Sequence, residues 1–225
     1  MKKNIFTFLY AIGAGVAIAL GGILNIFSKA YFGAAGKIVG SLLFPIGLTL
    51  VCFLSLALFT GKIGYFFDNN KKEYGKFLLI VYLGNIVGSL LVGFLCLLSF
   101  KGIPKVTDVI NSIADSKMNI PNFMAGFKVF CGATLCGALV YLAVFFYKTF
   151  KNVVLKVVGI FVPIAVFVYF GFDHCVANMF YFTFAFSFAK GYSYLNILLA
   201  TVGNSVGAIA LNSCFKGVKL LIKKQ

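Results

Sequence analysis

The sequence predicts an all-α membrane protein with six transmembrane helices, the second and fifth of them interrupted, arranged as an inverted repeat. Of its 225 residues, 61% are hydrophobic and 11% are charged, and the mean hydropathy is +1.02. A soluble domain is about half apolar and about a quarter charged. This composition therefore places the chain in a lipid bilayer.

Six apolar stretches are long enough to cross a bilayer, which takes about 20 predominantly apolar residues. They cover residues 6–28, 38–67, 77–100, 123–147, 152–189 and 192–215. The N-terminus, Met1-Lys2-Lys3, resembles that of a signal peptide. Its apolar run is longer than the roughly 7–15 residues of a signal-peptide core. The first stretch is therefore expected to be a retained helix.

Stretches two and five are too long for a single crossing. Each contains a proline, and a polar residue follows fifteen positions later: Pro45 precedes Thr60, and Pro163 precedes Asn178. The economical interpretation is a helix interrupted within the membrane, with non-helical backbone that is tolerated only where it is buried in protein or lines a cavity. Paired interruptions in two halves of a chain are typical of a transport site.

The third and sixth stretches share a second motif, Gly84-Asn85-x-x-Gly88 and Gly203-Asn204-x-x-Gly207. The glycines predict close helix packing, and the asparagines are candidates to hydrogen-bond exposed backbone. Residues 1–225 are thus expected to form one transmembrane channel domain of two repeats, about 1–100 and 123–215. The outer loop 101–122 that joins them has apolar residues at helical spacing and is expected to be a solvated cap on the outer surface.

The net charge of +15 comes from twenty lysines and five acidic residues. The lysines lie between apolar runs, so membrane topology and attraction of anions explain them better than nucleic acid, which is not expected as a partner. With the N-terminus in the cytoplasm, the inside carries Lys2, Lys3, Lys62, Lys71, Lys72, Lys76, Lys148, Lys151, Lys156, Lys216, Lys219, Lys223 and Lys224. The outside carries Lys29, Lys37, Lys101, Lys105, Lys117, Lys128 and Lys190. This asymmetry predicts that both termini are cytoplasmic.

The fifth stretch contains the only histidine, His174, beside Asp173 and a turn before Asn178. Ionisable groups in such a position usually face a bundle interior or a water-lined path. Half-helices that end near the midplane offer unpaired N–H groups to an anion, Thr60 adds a hydroxyl, and His174 adds a donor. Asp173 is expected to orient this loop, because a bare carboxylate in the path would repel anions.

Enzyme chemistry is not expected. Only Asp173 among the acidic residues lies within a span, so the membrane holds no carboxylate pair for acid–base catalysis. One histidine and six scattered cysteines do not form a metal site, and no phosphate-binding glycine loop is present. Neither a metal nor another cofactor is predicted.

The spans carry motifs that resemble those of the formate/nitrite transporter family of pentameric anion channels. The matching segments are F-P-I-G-L (Phe44–Leu48), L-F-T-G (Leu58–Gly61), G-N-I-V-G (Gly84–Gly88), L-A-V-F (Leu142–Phe145), G-F-D-H-C-V-A-N-M-F (Gly171–Phe180) and G-N-S-V-G (Gly203–Gly207). The run D-H-C-V-A-N-M-F resembles the family's E-H-S-I-A-N-M-F.

The resemblance implies an aquaporin-like protomer with its own pore, assembled as a homopentamer. Thr60 and His174 correspond to the central chamber, supported by Asp173 and Asn178. The matching constriction residues are Leu48 and Leu58 toward the cytoplasm and Phe44, Phe59 and Phe167 toward the outside. The family's anion-attracting lysine is matched best by Lys117, with Lys128 as the alternative.

Three departures from the family pattern bear on the permeating anion. Asp173 replaces a glutamate, Ala57 stands at an acidic or polar position, and Gly137 replaces an asparagine that faces the histidine. A less polar and roomier chamber resembles the hydrosulfide-channel branch. The expected function is a passive channel in the cytoplasmic membrane for small monovalent anions, chiefly hydrosulfide, with formate and nitrite also permeant.

Other functions remain open at this point. The main role is alternatively that of a formate or nitrite channel or proton-coupled transporter. A neutral-solute pore of the water or glycerol type would share the inverted repeat, but it predicts paired N-P-A turns, and the sequence contains none. A binding subunit of a larger transporter would need a surface for an ATPase, for which the sequence has no mark.

Overall fold

The computed structural model describes residues 2–100, 102–188 and 191–222, and within them the chain is helical, without strands. The helices are α1 (Lys2–Tyr31), α2 (Gly36–Leu43), α3 (Pro45–Phe53), α4 (Phe59–Lys62), α5 (Lys71–Phe100), α6 (Pro104–Met118), α7 (Phe123–Thr149), α8 (Val153–Phe170), α9 (Cys175–Phe184) and α10 (Tyr192–Ile222). Short 3₁₀ segments cover Gly33–Ala35 and Ile63–Asp68. Six segments are long and apolar enough to span a membrane, which confirms the predicted number.

Both long apolar stretches are interrupted, as predicted. The first break separates α3 from α4, and the second separates α8 from α9. Gly171 begins the second break with a φ of 74°, in the left-handed region that glycine adopts without strain. Neither proline lies at these two breaks. Pro45 begins α3 directly after α2 ends, and Pro163 lies inside α8.

The two halves pack their helices in the same way. Helix α1 lies against α5 so closely that a β carbon on Gly15 would be 2.4 Å from the backbone oxygen of Asn85. In the second half α7 lies against α10, and a β carbon on Gly137 would be 2.1 Å from the backbone oxygen of Asn204. Equivalent glycines therefore face equivalent asparagines, as an inverted repeat requires.

The segment between the halves is more than a solvated cap. Its predicted helix is present as α6, but one face of that helix is buried, through Val106, Ile110, Ala114 and Met118. Apolar residues three and four positions apart form one stripe along a helix, and here the stripe packs against α1, α9 and α10. This packing places Lys117, near the end of α6, next to the second break.

Lysines collect at the two ends of the bundle. Lys29 and Lys117 line one cavity, and Lys62 and Lys148 line another at the far side of the breaks. Of the lysines counted for orientation, Lys101, Lys190, Lys223, Lys224 and the side chains of Lys2 and Lys219 lie outside the described residues.

Candidate functional site

Asn85 ties the first break to the body of the protein. Its Oδ1 accepts a hydrogen bond from the backbone N–H of Phe59 at 2.8 Å. Its Nδ2 donates to the backbone oxygens of Ala57 at 2.9 Å and Ala11 at 2.8 Å. One fully buried amide thus satisfies an N–H and a C=O group that the break leaves without helical partners.

Asn204 makes the same three contacts at the second break. Its Oδ1 accepts from the N–H of Cys175 at 2.9 Å, and its Nδ2 donates to the oxygens of Asp173 and Ala133, both at 2.8 Å. The prediction that both asparagines bond exposed backbone is confirmed. The true equivalents across the repeat are therefore Phe59 and Cys175, so the fifteen-residue spacing from the prolines does not pair equivalent positions.

Thr60 and His174, one beside each break, meet in the centre. Both are buried, and the Oγ1 of Thr60 lies 2.9 Å from the Nε2 of His174. The N–H of Ala177 donates to the Nδ1 of the imidazole at 3.2 Å. Because Nδ1 accepts, the ring hydrogen of the neutral imidazole is on Nε2, which donates to Thr60. The hydroxyl hydrogen of Thr60 is then available to another acceptor.

Asp173 is the centre of a polar network behind the imidazole. Its Oδ1 accepts from the Nζ of Lys117 at 2.9 Å, from Asn178 at 2.8 Å and from Asn196 at 3.1 Å. Asn196 also donates to the backbone oxygen of Lys117 at 3.0 Å. Asn196 is not among the residues expected from the sequence motifs, although an amide near the start of an apolar span is a signal that marks it.

Two aromatic rings pack beside the imidazole. Phe44 and Phe167 meet edge to face at 5.6 Å between ring centroids, and Phe167 stacks on His174 at 5.8 Å. These rings border a cavity of about 40 Å³, which we call the Lys117 vestibule. Its lining includes Asn25, Lys29, Phe44, Lys117, Phe167 and His174.

A second cavity, of about 140 Å³, lies on the other side of the Thr60–His174 pair. We call it the Lys148 vestibule, and its lining includes Cys52, Leu58, Gly61, Lys62 and Lys148. Leu58 and Gly61, which lie within two positions of Thr60 in the sequence, line this cavity, whereas His174 lines the first. Leu48 is buried in the core at 1% exposure.

Three further residues singled out from the sequence do not line the Lys117 vestibule. Phe59 does not line the Lys117 vestibule with the other two phenylalanines, because its ring packs on Tyr82 at 4.9 Å. Lys128 is exposed on α7 and does not line that vestibule either. Gly137 does not enlarge a chamber beside the histidine, because the backbone of α10 fills the space next to it.

No group of three or more histidine, cysteine, aspartate or glutamate side chains comes together among the described residues to hold a metal ion. The polar groups that do converge are the Thr60–His174 pair, the Asp173 network and two pairs of lysines. Chemically, hydrogen-bond donors and lysines in such an arrangement can attract and bind an anion.

Comparison with known proteins identifies relatives along nearly the whole chain. The formate/nitrite transporter family matches residues 2–217. The uncharacterized transporter YrhG of Bacillus subtilis is 34% identical over 211 residues, covering 86% of this chain and 77% of its own. The formate channel FocA of Haemophilus influenzae is 29% identical over 195 residues, covering 80% and 66%. The solved structure of a pentameric formate channel with formate bound superimposes with a TM-score of 0.82 at 24% identity, covering 98% of both chains.

Proposed function

Since the chain belongs to the formate/nitrite transporter family, we propose that it is a passive membrane channel for small monovalent anions, chiefly hydrosulfide. The observation that carries the proposal is the buried Thr60–His174 pair, which lies between two lysine-lined cavities. An ion that leaves water needs fixed dipoles and charges in exchange for its hydration shell. Hydrogen-bond donors lie in both cavities and at the Thr60–His174 pair, and apolar residues lie between them.

The proposed path runs through both vestibules. An anion enters the Lys117 vestibule, passes Phe44 and Phe167, and meets the hydroxyl of Thr60 beside His174. It then passes the slit at Leu48 and Leu58 into the Lys148 vestibule. The apolar sections favour a neutral molecule over a charged one, so protonation of the anion between the vestibules promotes its passage.

One buried acceptor favours hydrosulfide. The Nδ2 of Asn178 donates to two oxygens, which fixes the orientation of the amide, and its Oδ1 is buried without a donor. Asn178 lines the Lys117 vestibule. Hydrosulfide has an S–H group that can donate to this oxygen, whereas formate and nitrite have none. An unpaired buried oxygen is costly, so a ligand that supplies a hydrogen is preferred there.

The second candidate is a channel whose main substrate is formate or nitrite. It is favoured by the names of the similar formate channels. Under either substrate the chain is proposed to act as a homopentamer in the cytoplasmic membrane, with both termini inside. The Lys117 vestibule then faces outward. Lys117, which lines this vestibule and contacts Asp173, is proposed to be the counterpart of the family's lysine in place of Lys128.

Reconstitution in liposomes tests the proposal. The purified chain is expected to conduct hydrosulfide, with a higher rate than formate or nitrite at equal concentration. Thr60→Ala removes the hydroxyl and His174→Asn removes the imidazole, and both are expected to lower the flux at least tenfold. Unchanged flux in both variants contradicts the site, and a faster formate or nitrite flux in the wild type contradicts hydrosulfide as the main substrate. Osmotic swelling without anion flux would instead indicate a neutral-solute pore.

A further inference from the structure

The charge of Lys117 is already neutralised within the protein. Its Nζ lies 2.9 Å from Asp173, and the side chains of this pair are only 13% and 11% exposed. Attraction between partially buried charges at such a distance is strong. An anion that approached Lys117 would therefore compete with a carboxylate that is fixed by two asparagines. Lys117 is better suited to hold the non-helical segment with Asp173 and His174 in place than to bind an anion.

Lys29 is a second cation in the same cavity, and no described carboxylate pairs with it. It is half-buried near the end of α1 and forms no ion pair within the part of the chain that the structure describes. The residues that line the Lys117 vestibule include two lysines and no acidic residue. The excess positive charge of this cavity therefore belongs to Lys29.

Asn25 supplies an unused donor beside that charge. It lies one helical turn before Lys29, so both side chains are on one face of α1. Asn25 is 1% exposed, lines the vestibule, and its Nδ2 has no hydrogen-bond partner. The amide has room because residue 40 is glycine, where a β carbon would lie 2.8 Å from this nitrogen. A buried amide N–H group without an acceptor destabilises the protein unless a ligand accepts its hydrogen bond.

We propose that Asn25 and Lys29 form the anion-binding site of the Lys117 vestibule. Lys29 supplies the charge, and the Nδ2–H₂ group of Asn25 supplies a hydrogen bond to the anion. The site suits a small monovalent anion, since the cavity holds about 40 Å³. Its role in permeation rests on the proposed channel function, but binding of an anion does not.

Bromide binding tests the site without reference to transport. Crystals of the full chain soaked in bromide are expected to show anomalous scattering within hydrogen-bond distance of Asn25 Nδ2 and Lys29 Nζ. The signal is expected to disappear in Lys29→Gln and to persist in Lys128→Gln, the matched variant with an exposed lysine. Bromide on Lys117 with none beside Lys29 would overturn the proposal.

Formate flux into liposomes gives the second measurement. Lys29→Gln is expected to raise the half-saturating formate concentration roughly tenfold, which corresponds to about 1.4 kcal/mol. Asn25→Leu is expected to raise it several-fold, Lys29→Arg to restore it, and Lys128→Gln to leave it unchanged. If the wild type conducts anions and Lys29→Gln behaves like Lys128→Gln, the site is refuted while the channel stands. If bromide binds as expected but the wild type conducts no anion, the channel proposal fails and the site stands.

Discussion

Replacement of Asn204 by leucine tests how the interrupted helix is held. Leucine has a similar volume but bonds neither the N–H of Cys175 nor the oxygen of Asp173. Cys175 is the first residue of α9 and Asp173 lies in the break, so neither group gains a helical partner. The third partner, Ala133, lies inside α7. Each buried group left unpaired costs about 1–3 kcal/mol, so we expect a loss of about 2–6 kcal/mol.

Thermal unfolding in detergent, followed by size-exclusion chromatography of heated samples, measures this loss. About 1 kcal/mol lowers Tm by roughly 2–4 °C in a chain of this size, so the expected decrease is on the order of 10 °C. The control is Asn122→Ala, which removes an exposed helix cap to Ala125 and costs about 1 kcal/mol. If Asn204→Leu is no less stable than this control, the amide does not hold the break.

The inverted repeat supplies an independent check on the same reasoning. Asn85 bonds the N–H of Phe59 and the oxygen of Ala57 at distances within about 0.1 Å of those around Asn204. We therefore expect Asn85→Leu to lower Tm by the same amount, within about 3 °C. A large decrease in one variant and none in the other would show that the two breaks are stabilised by different contacts.

Two further predictions concern packing and charge. Gly137→Ala places a β carbon 2.1 Å from a backbone oxygen of α10, so the yield of folded protein should fall sharply, whereas Gly217→Ala, which meets open space, should fold normally. Burial raises the pKa of Asp68, but hydrogen bonds from Lys216 and Asn212 outweigh it and hold the pKa below its usual value. Asp68→Asn should therefore cost at most about 1 kcal/mol at pH 7. In denaturation profiles the difference from wild type should begin to shrink as the pH falls below about 4, and it should disappear only below the depressed pKa of Asp68.

The two breaks, and the asparagines that bond their backbone, could be predicted because each leaves a local signal in the sequence. An apolar run of 38 residues cannot be a single crossing. Unpaired backbone in lipid needs a polar side chain from a neighbour, and Asn85 and Asn204 are buried amides at matching places. The exact register of the repeat was not predictable from the prolines. A proline can begin a helix or lie inside one without ending it, as Pro45 and Pro163 do.

The charges of the candidate site could not be predicted, because they depend on contacts between distant segments. Asp173 and Lys117 are 56 residues apart, and their pairing depends on how α6 packs over the second break. From sequence alone Lys117 is taken for an unpaired lysine. Lys29 is only one of the lysines that indicate the membrane orientation. Because Asp173 neutralises Lys117, the proposed electrostatic attraction for an anion rests on Lys29. A lysine in a vestibule therefore attracts anions only to the extent that no carboxylate already holds it.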